Sequence, residues 1–260
     1  LNYLSEDQTH LRTTLVPNLL KNLQNNIKYY DEVKIYEIGH TYKEINKFYP
    51  LEEKIITGAI LTKEKNNQIF YEAKGIVENI FQKLSIPKLS PAKGTKDAPY
   101  AHPTKSISYI DVHGQTLAKV FILHPNVAKN HDLENYNIAF FTINFTELLK
   151  LPTEPRRYQQ ISKFPSIQID ISILIKKETE VDSLEKIIAR SDQNLITKVK
   201  LFDIYEGPNI ESDKKAVAFK ITLQSKERTL TDEEMAVTQK KIFQNIEKAG
   251  GIIRGIKEPI

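Results

Sequence analysis

Between residues 164 and 175, isoleucine recurs at 167, 169, 171, 173 and 175, with Gln168, Asp170 and Ser172 among the residues between them. A strict period of two sends every isoleucine to one face, so a strand is predicted with one side buried and the other open. The pattern then becomes helical. Val181, Leu184, Ile187 and Ile188 follow helix spacing, and Asp182 with Glu185 reads as a capping box. A strand is expected from about Leu195 to Tyr205, a break at Gly207-Pro208-Asn209, and a further strand from Lys215 to Leu223. In that strand Val217, Phe219, Ile221 and Leu223 alternate with Ala218, Lys220 and Thr222. Thr231 followed by Glu234 opens a second helix, with apolar positions Met235, Ile242, Ile246 and Ala249, which Gly250-Gly251 ends. Ile252-Ile253-Arg254 remains as a short last strand.

The order strand, helix, strand, strand, helix, strand is the ferredoxin-like βαββαβ arrangement. Its two helices pack on one face of the sheet, which leaves the other for water or a partner. Gln168, Asp170, Ser172, Lys198, Lys200, Lys220, Thr222 and Arg254 are expected on that open face, which reads as short of apolar residues and mildly basic.

The earlier half has its own pattern. Val16, Leu19, Leu20, Leu23 and Ile27 form an amphipathic stripe with Pro17 in the first turn, a helix to about residue 28. Strands are predicted at Val33 to Ile38 and Lys54 to Leu61, separated from a helix at Phe70 to Leu84 by the polar loop Lys63 to Asn67. Pro87, Pro91 and Pro99 predict irregular chain to about Pro103. Ser106 to Val112 and Thr116 to Leu123 bracket His113-Gly114 as a hairpin, Pro125 to Asn130 reads as a short helix, Ile138 to Ile143 as a strand and Thr146 to Leu149 as a helical turn. Antiparallel strands with helices on one side make this an α+β domain, and Leu151 to Pro155 is the best linker. The expected domains are thus 1–155 and 156–260.

Composition narrows the function classes. At 260 residues, 40% hydrophobic and 27% charged, the chain has room for two ordinary cores. No apolar run approaches the ~18 residues of a membrane span, so no membrane partner is expected. The absence of cysteine removes disulfides and thiolate chemistry and fits a reducing cytoplasm. The net charge of +4 is divided between 18 basic and 17 acidic residues before residue 155 and 19 and 16 after it. Any RNA binding must therefore rest on local placement of lysines rather than bulk charge. Leu1 begins the chain without methionine or signal-like features, which reads as a piece of a longer protein.

Three blocks, Phe164-Pro165, Leu201-Phe-Asp-Ile-Tyr205 and Ser225-Lys-Glu-Arg-Thr-Leu-Thr-Asp-Glu-Glu234, closely resemble the ferredoxin-fold anticodon-binding domain that closes the beta subunit of bacterial phenylalanine-tRNA ligase. Where that family often has a basic pair, this chain has Gln168 and Ile169. The segment from Leu4 to Leu20, Ile35-Tyr-Glu-Ile-Gly39, Tyr71-Glu-Ala-Lys-Gly75, His102-Pro-Thr-Lys-Ser106 and Leu123-His-Pro125 resemble the same subunit's catalytic-like module. This module is similar in fold to class II synthetase catalytic domains, an antiparallel sheet with flanking helices, but does no chemistry. The resemblance implies an α2β2 ligase using ATP and Mg2+, with the alpha subunit and tRNA(Phe) as partners. It also implies that this part itself binds no cofactor, docks on the alpha subunit and holds the anticodon region.

The residues agree that this part is not catalytic. Adenylate formation is largely charge stabilisation on phosphates and needs arginines, yet Arg12 is the only arginine in the first 155 residues and no Gly-x-Gly-x-Gly occurs. Glu37 reads as a structural remnant. Arg12 is either a surface salt bridge or an anchor at the subunit interface, and Tyr29 and Tyr30 are candidate partner contacts. The six histidines, His102 and His124 included, lack metal-ligand spacing and read as turn residues. Asp97, Asp132 and Glu134 do not form a carboxylate dyad. Phe202 and Tyr205 are the aromatic candidates for base stacking. A stand-alone regulatory or interaction protein with these folds is the rival reading, and a hydrolase using His102 or His124 the third.

Overall fold

A computed structural model of the chain describes residues 9–44, 49–64, 68–87, 89, 91–95, 98–153, 158 and 162–257, with the side chains of 255–257 left aside. Asp97, the first part of the Leu4 to Leu20 block and the ends of the Lys63 and Leu151 loops lie outside the described residues. The chain divides into two compact units, Leu1–Arg157 and Tyr158–Ile260, each described by itself.

The first unit is built on a six-stranded antiparallel sheet of β1 (Glu32–Glu44), β2 (Pro50–Thr62), β3 (Pro91–Lys93), β4 (Ala101–Ile110), β5 (Thr116–Leu123) and β6 (Asn137–Asn144). The strands lie in the order β1-β2-β6-β5-β4-β3. α1 (Val16–Asn26) turns Val16, Leu19, Leu20 and Leu23 onto one face, over Val33, Leu61, Phe121 and Phe140. α2 (Gln68–Lys83) packs Ile69, Ala73, Val77 and Phe81 on the opposite face, over Ile60, Val120, Ala139 and Phe141. The expectation of helices on one side is therefore wrong for this unit. Adjacent residues such as Ile60 and Leu61, or Phe140 and Phe141, are apolar on both faces, the pattern of a sheet covered twice.

Two short helices, α3 (Pro125–Asn130) and α4 (Phe145–Leu148), follow β5 and β6. The stretch expected to be irregular contains β3 and the start of β4. Pro91 opens an edge strand, where its missing N–H removes no ladder bond, and Pro103 falls in the slip of register between Ala101 and Ser106. Val112 lies beyond β4 and is exposed.

The second unit has a four-stranded sheet of β7 (Ile167–Lys176), β8 (Ile196–Tyr205), β9 (Lys214–Leu223) and β10 (Ile252–Lys257), in the order β10-β7-β9-β8. With α5 (Val181–Ser191) and α6 (Asp232–Lys248) the element order is βαββαβ, as the periodicity predicts. Ile169, Ile171, Ile173 and Ile175 meet Val217, Phe219 and Ile221 under Leu184, Ile188, Ile242 and Ile246. Two local readings need correction. α5 is capped at Glu180 with no side-chain bond to the first helical N–H groups, and Asp182 already lies in its first turn, paired with Lys186 at 2.7 Å. In α6 the buried position between Met235 and Ile242 is Thr238, while Ala249 is exposed. The Thr231 and Glu234 capping box is formed in both directions.

Candidate nucleic-acid interface

Ladder register decides what the helix-free face of the second sheet presents. Gln168 pairs with Thr222 and Thr222 with Lys198; one step along, Asp170 pairs with Lys220 and Lys220 with Lys200. Ser172 is opposite Ala218, itself opposite Asp203. Seven of the predicted residues, Gln168, Asp170, Ser172, Lys198, Lys200, Lys220 and Thr222, thus share one face. Arg254 does not join a row: it is exposed at the register shift between Ile253 and Gly255.

The charges in the second row are not equivalent. Lys220 Nζ lies 3.4 Å from Asp170 Oδ1, so part of its charge is balanced within the sheet. Lys198 and Lys200 are exposed on the outer strand, β8, and point their charge to solvent. Two like charges on directly opposed residues, Lys200 and Lys220, repel each other and favour an anion between them.

Phe202 follows Lys198 and Lys200 on this face by alternation, half exposed, with Lys220 Nζ 5.7 Å from its ring centroid, and a bulge between Leu201 and Asp203 shifts the register so that Asp203 and Tyr205 come to the same face. The last row is apolar: Ile252 pairs with Leu174, Leu174 with Ala216, and Ala216 with Tyr205. The face is therefore basic at one end and apolar at the other, and the expectation that it is short of apolar residues holds only for the first two rows. Tyr205 folds back over Gly207, where an added Cβ would collide with the phenol. Phe202 is the aromatic ring left open for stacking.

In the first unit, Arg12 is engaged within the chain. Its Nη1 is 2.6 Å from Glu37 Oε1 and its Nε donates to the His40 carbonyl at 2.9 Å. Tyr29 and Tyr30, just past α1, are 78% and 60% exposed, in edge-to-face contact with each other. Sequence reading missed a larger apolar surface, where Tyr36 and Ile38 of β1, 72% and 52% exposed, border a groove with Ile56, Ile76, Ile80 and Phe141. The alternation of β1 carried the signal, since its second apolar set needed a cover of its own.

His102 and His124 serve turns, whereas His40 lies within β1, its Nδ1 3.5 Å from Glu52 Oε1, so the reading of all six histidines as turn residues does not hold. His124 Nδ1 accepts from Asn126 N–H at the start of α3, and His102 Nδ1 accepts from the Thr104 and Lys105 N–H groups. Burial, with the positive charge of Lys105 and the neighbouring His124, holds His102 below the usual imidazole range.

Residues 1–145 match the model of the phenylalanyl tRNA synthetase beta chain CLM domain, and residues 162–254 that of the ferredoxin-fold anticodon binding domain. The chain belongs to the phenylalanyl-tRNA synthetase beta-chain family. It is 32% identical over 263 residues to the phenylalanine-tRNA ligase beta subunit of Geobacillus kaustophilus, a match covering 97% of this chain and 32% of the relative. The Clostridium acetobutylicum subunit is 29% identical, over 96% of this chain and 31% of the relative. The chain thus spans about a third of the length of the relatives it matches. A solved pyrrolysyl tRNA synthetase, Desulfitobacterium hafniense PylSc, overlaps 53% of this chain and 48% of its own with a TM-score of 0.43 and 15% identity.

Proposed function

We propose that this chain is the part of a phenylalanine-tRNA ligase beta subunit that docks on the alpha subunit and holds the anticodon stem-loop of tRNA(Phe). The whole would be a cytoplasmic α2β2 enzyme joining phenylalanine to its tRNA. The observation that carries the RNA reading is the aligned pair of rows Gln168–Thr222–Lys198 and Asp170–Lys220–Lys200, with Phe202 open beside them. Unstacked loop bases can be hydrogen-bonded by Gln168 and Thr222 and stacked on Phe202, while Lys198 and Lys200 meet phosphates.

ATP and Mg2+ belong to the companion catalytic subunit in this reading. Arg12 is spent on Glu37 and the His40 carbonyl, and the buried Glu53 is held by Asn144 and Lys43, so these two described residues are not open to a metal-nucleotide. Arg12, Tyr29, Tyr30 and the Tyr36 and Ile38 groove are the candidate contacts for the alpha subunit.

Titration of tRNA(Phe) at several salt concentrations tests the RNA reading. The Lys198→Ala, Lys200→Ala pair is expected to weaken binding and lower the salt slope by about 0.7–0.9 for each phosphate that is no longer neutralised. An unchanged slope removes these lysines from the interface. Copurification of the alpha subunit and tRNA with the chain tests the assembly, and capture of neither favours an independent interaction protein.

A further inference from the structure

At the Lys198 end of the second sheet's open face, two segments of chain meet. Ser162 Oγ donates to the Ser225 carbonyl at 3.1 Å and Gln224 Nε2 to the Phe164 carbonyl at 2.8 Å, so the segment before β7 lies against the segment after β9. Gln224 N–H donates to the Leu195 carbonyl at 2.8 Å, which brings the start of β8 to the same corner. Lys163 belongs to the first segment and Lys226 to the second, both exposed. The row Gln168–Thr222–Lys198 is close by, since Ile167 and Ile196 are both opposite Leu223, the residue before Gln224.

Charge at this corner is one-sided. Lys163, Lys198, Lys200 and Lys226 are exposed and enter no ion pair among the described residues, against the single carboxylate of Glu227. Arg228 and Glu234 satisfy each other, at 2.9 and 2.6 Å. Asp232 and Glu233 stand in the first turn of α6, in the layer behind the sheet. Lys226 lies six residues beyond Lys220, which is opposite Lys200. That is at most about 20–22 Å of extended chain. Lysines held within that reach without counter-charges raise a local positive potential, although the net charge of the chain is only +4.

The corner offers little with which to read a base. The Phe164 and Ser225 carbonyls already accept, Ser162 and Gln224 already donate, and Ser225 Oγ accepts from the Glu227 N–H at 3.2 Å. The lysines remain, and lysine meets phosphate as a point charge without reading sequence.

We propose that the RNA footprint runs off the open face at this corner, where Lys163 and Lys226 hold backbone phosphates of the stem that closes the anticodon loop. Loop bases lie on the face, Lys198 and Lys200 take the loop's phosphates, and the paired part of the arm continues over residues 162–164 and 224–226. Paired RNA is met mainly through its backbone, because its deep groove is too narrow for side chains to read. The inference rests on the RNA reading of the same face and extends it from loop to stem.

The test compares two RNAs on the whole 260-residue chain over a salt series: the anticodon arm of tRNA(Phe) as a stem-loop, and its loop sequence as an unpaired strand. Lys163→Gln with Lys226→Gln should lower the salt slope for the stem-loop by about 1.4–1.8, two phosphate contacts at about 0.7–0.9 each, and leave the unpaired strand bound as before. Lys198→Ala with Lys200→Ala should lower the slope for both RNAs. Lys240→Gln with Lys248→Gln removes the same charge from exposed positions of α6 and should change neither. All six lysines are exposed, so these substitutions leave the fold intact. A stem-loop slope unchanged in the Lys163 and Lys226 variant, but lowered in the Lys198 and Lys200 variant, overturns the stem contact and spares the RNA reading. An equal fall with both RNAs, or in the α6 variant, assigns the effect to the loop or to bulk charge and also overturns the stem contact. Slopes that no variant moves overturn the RNA reading and this inference together.

Discussion

Arg12 and Glu37, separated by 25 residues, meet at 2.6 Å above Gly39, whose missing side chain is the space that the guanidinium occupies. The chain before α1 is thereby tied to β1, and Tyr42 N–H donates to the Arg12 carbonyl at 2.9 Å in the same place. Gly39→Ala should displace the guanidinium and cost about 0.5–1 kcal/mol, the value of a partly exposed ion pair. The same substitution made on an Arg12→Ala background should cost almost nothing, because there is no guanidinium left to displace. Equal costs in the two backgrounds, measured by urea unfolding, would show that Gly39 serves the backbone instead.

Asp192 joins the end of α5 to α6. Its carboxylate, 10% exposed, is 2.9 Å from Lys241 Nζ and accepts from the Asn194 and Leu195 N–H groups. Burial opposes ionisation, but the bond and charge of Lys241 with the two N–H groups outweigh it and hold the acid below its ordinary range. A depressed folded-state pKa stabilises above the unfolded value of about 3.9 and is lost as pH falls through the folded one. Asp192→Asn is therefore expected to cost about 1–2 kcal/mol at neutral pH. That difference should close below about pH 4. A gap of constant size down to about pH 2 would assign the loss to packing.

Phe202→Ala separates stacking from charge on the open sheet face. Loss of a stacked base costs about 1–3 kcal/mol and leaves the salt dependence of tRNA binding unchanged. The lysine variants should do the reverse, lowering the slope. A salt slope that falls in Phe202→Ala would mean that the ring acts by placing Lys220, which sits over it.

The apolar groove beside β1 gives a docking test. Tyr36 and Ile38 are mostly exposed, so Ile38→Asp should leave the thermal midpoint of the chain within a few degrees while sharply reducing copurification with the alpha subunit. Full recovery of the subunit by the variant removes the groove from the interface, and Tyr29→Asp with Tyr30→Asp then tests the other exposed pair.

The order of the second unit was legible because its strands alternate cleanly and its helices carry apolar stripes. Ile167 to Ile175 predicts not only a strand but which side chains are open. The two-sided cover of the first sheet was harder to read, since Ile60-Leu61 and Phe140-Phe141 erase the alternation that tells one face from the other. Bulges are invisible to periodicity, so the apolar row ending at Tyr205 went unread. The union of Lys43, Glu53 and Asn144 depends on pairing across β1, β2 and β6, with Asn144 lying 91 residues beyond Glu53. No local spacing announces such a meeting.

β1 is a thirteen-residue strand at the end of its sheet, with Tyr36 and Ile38 uncovered along it. A rim of that length is a template for another copy of itself. Made without a companion subunit, the protein is expected to self-associate in a concentration-dependent way, and co-production with that subunit becomes the natural route to a monodisperse sample.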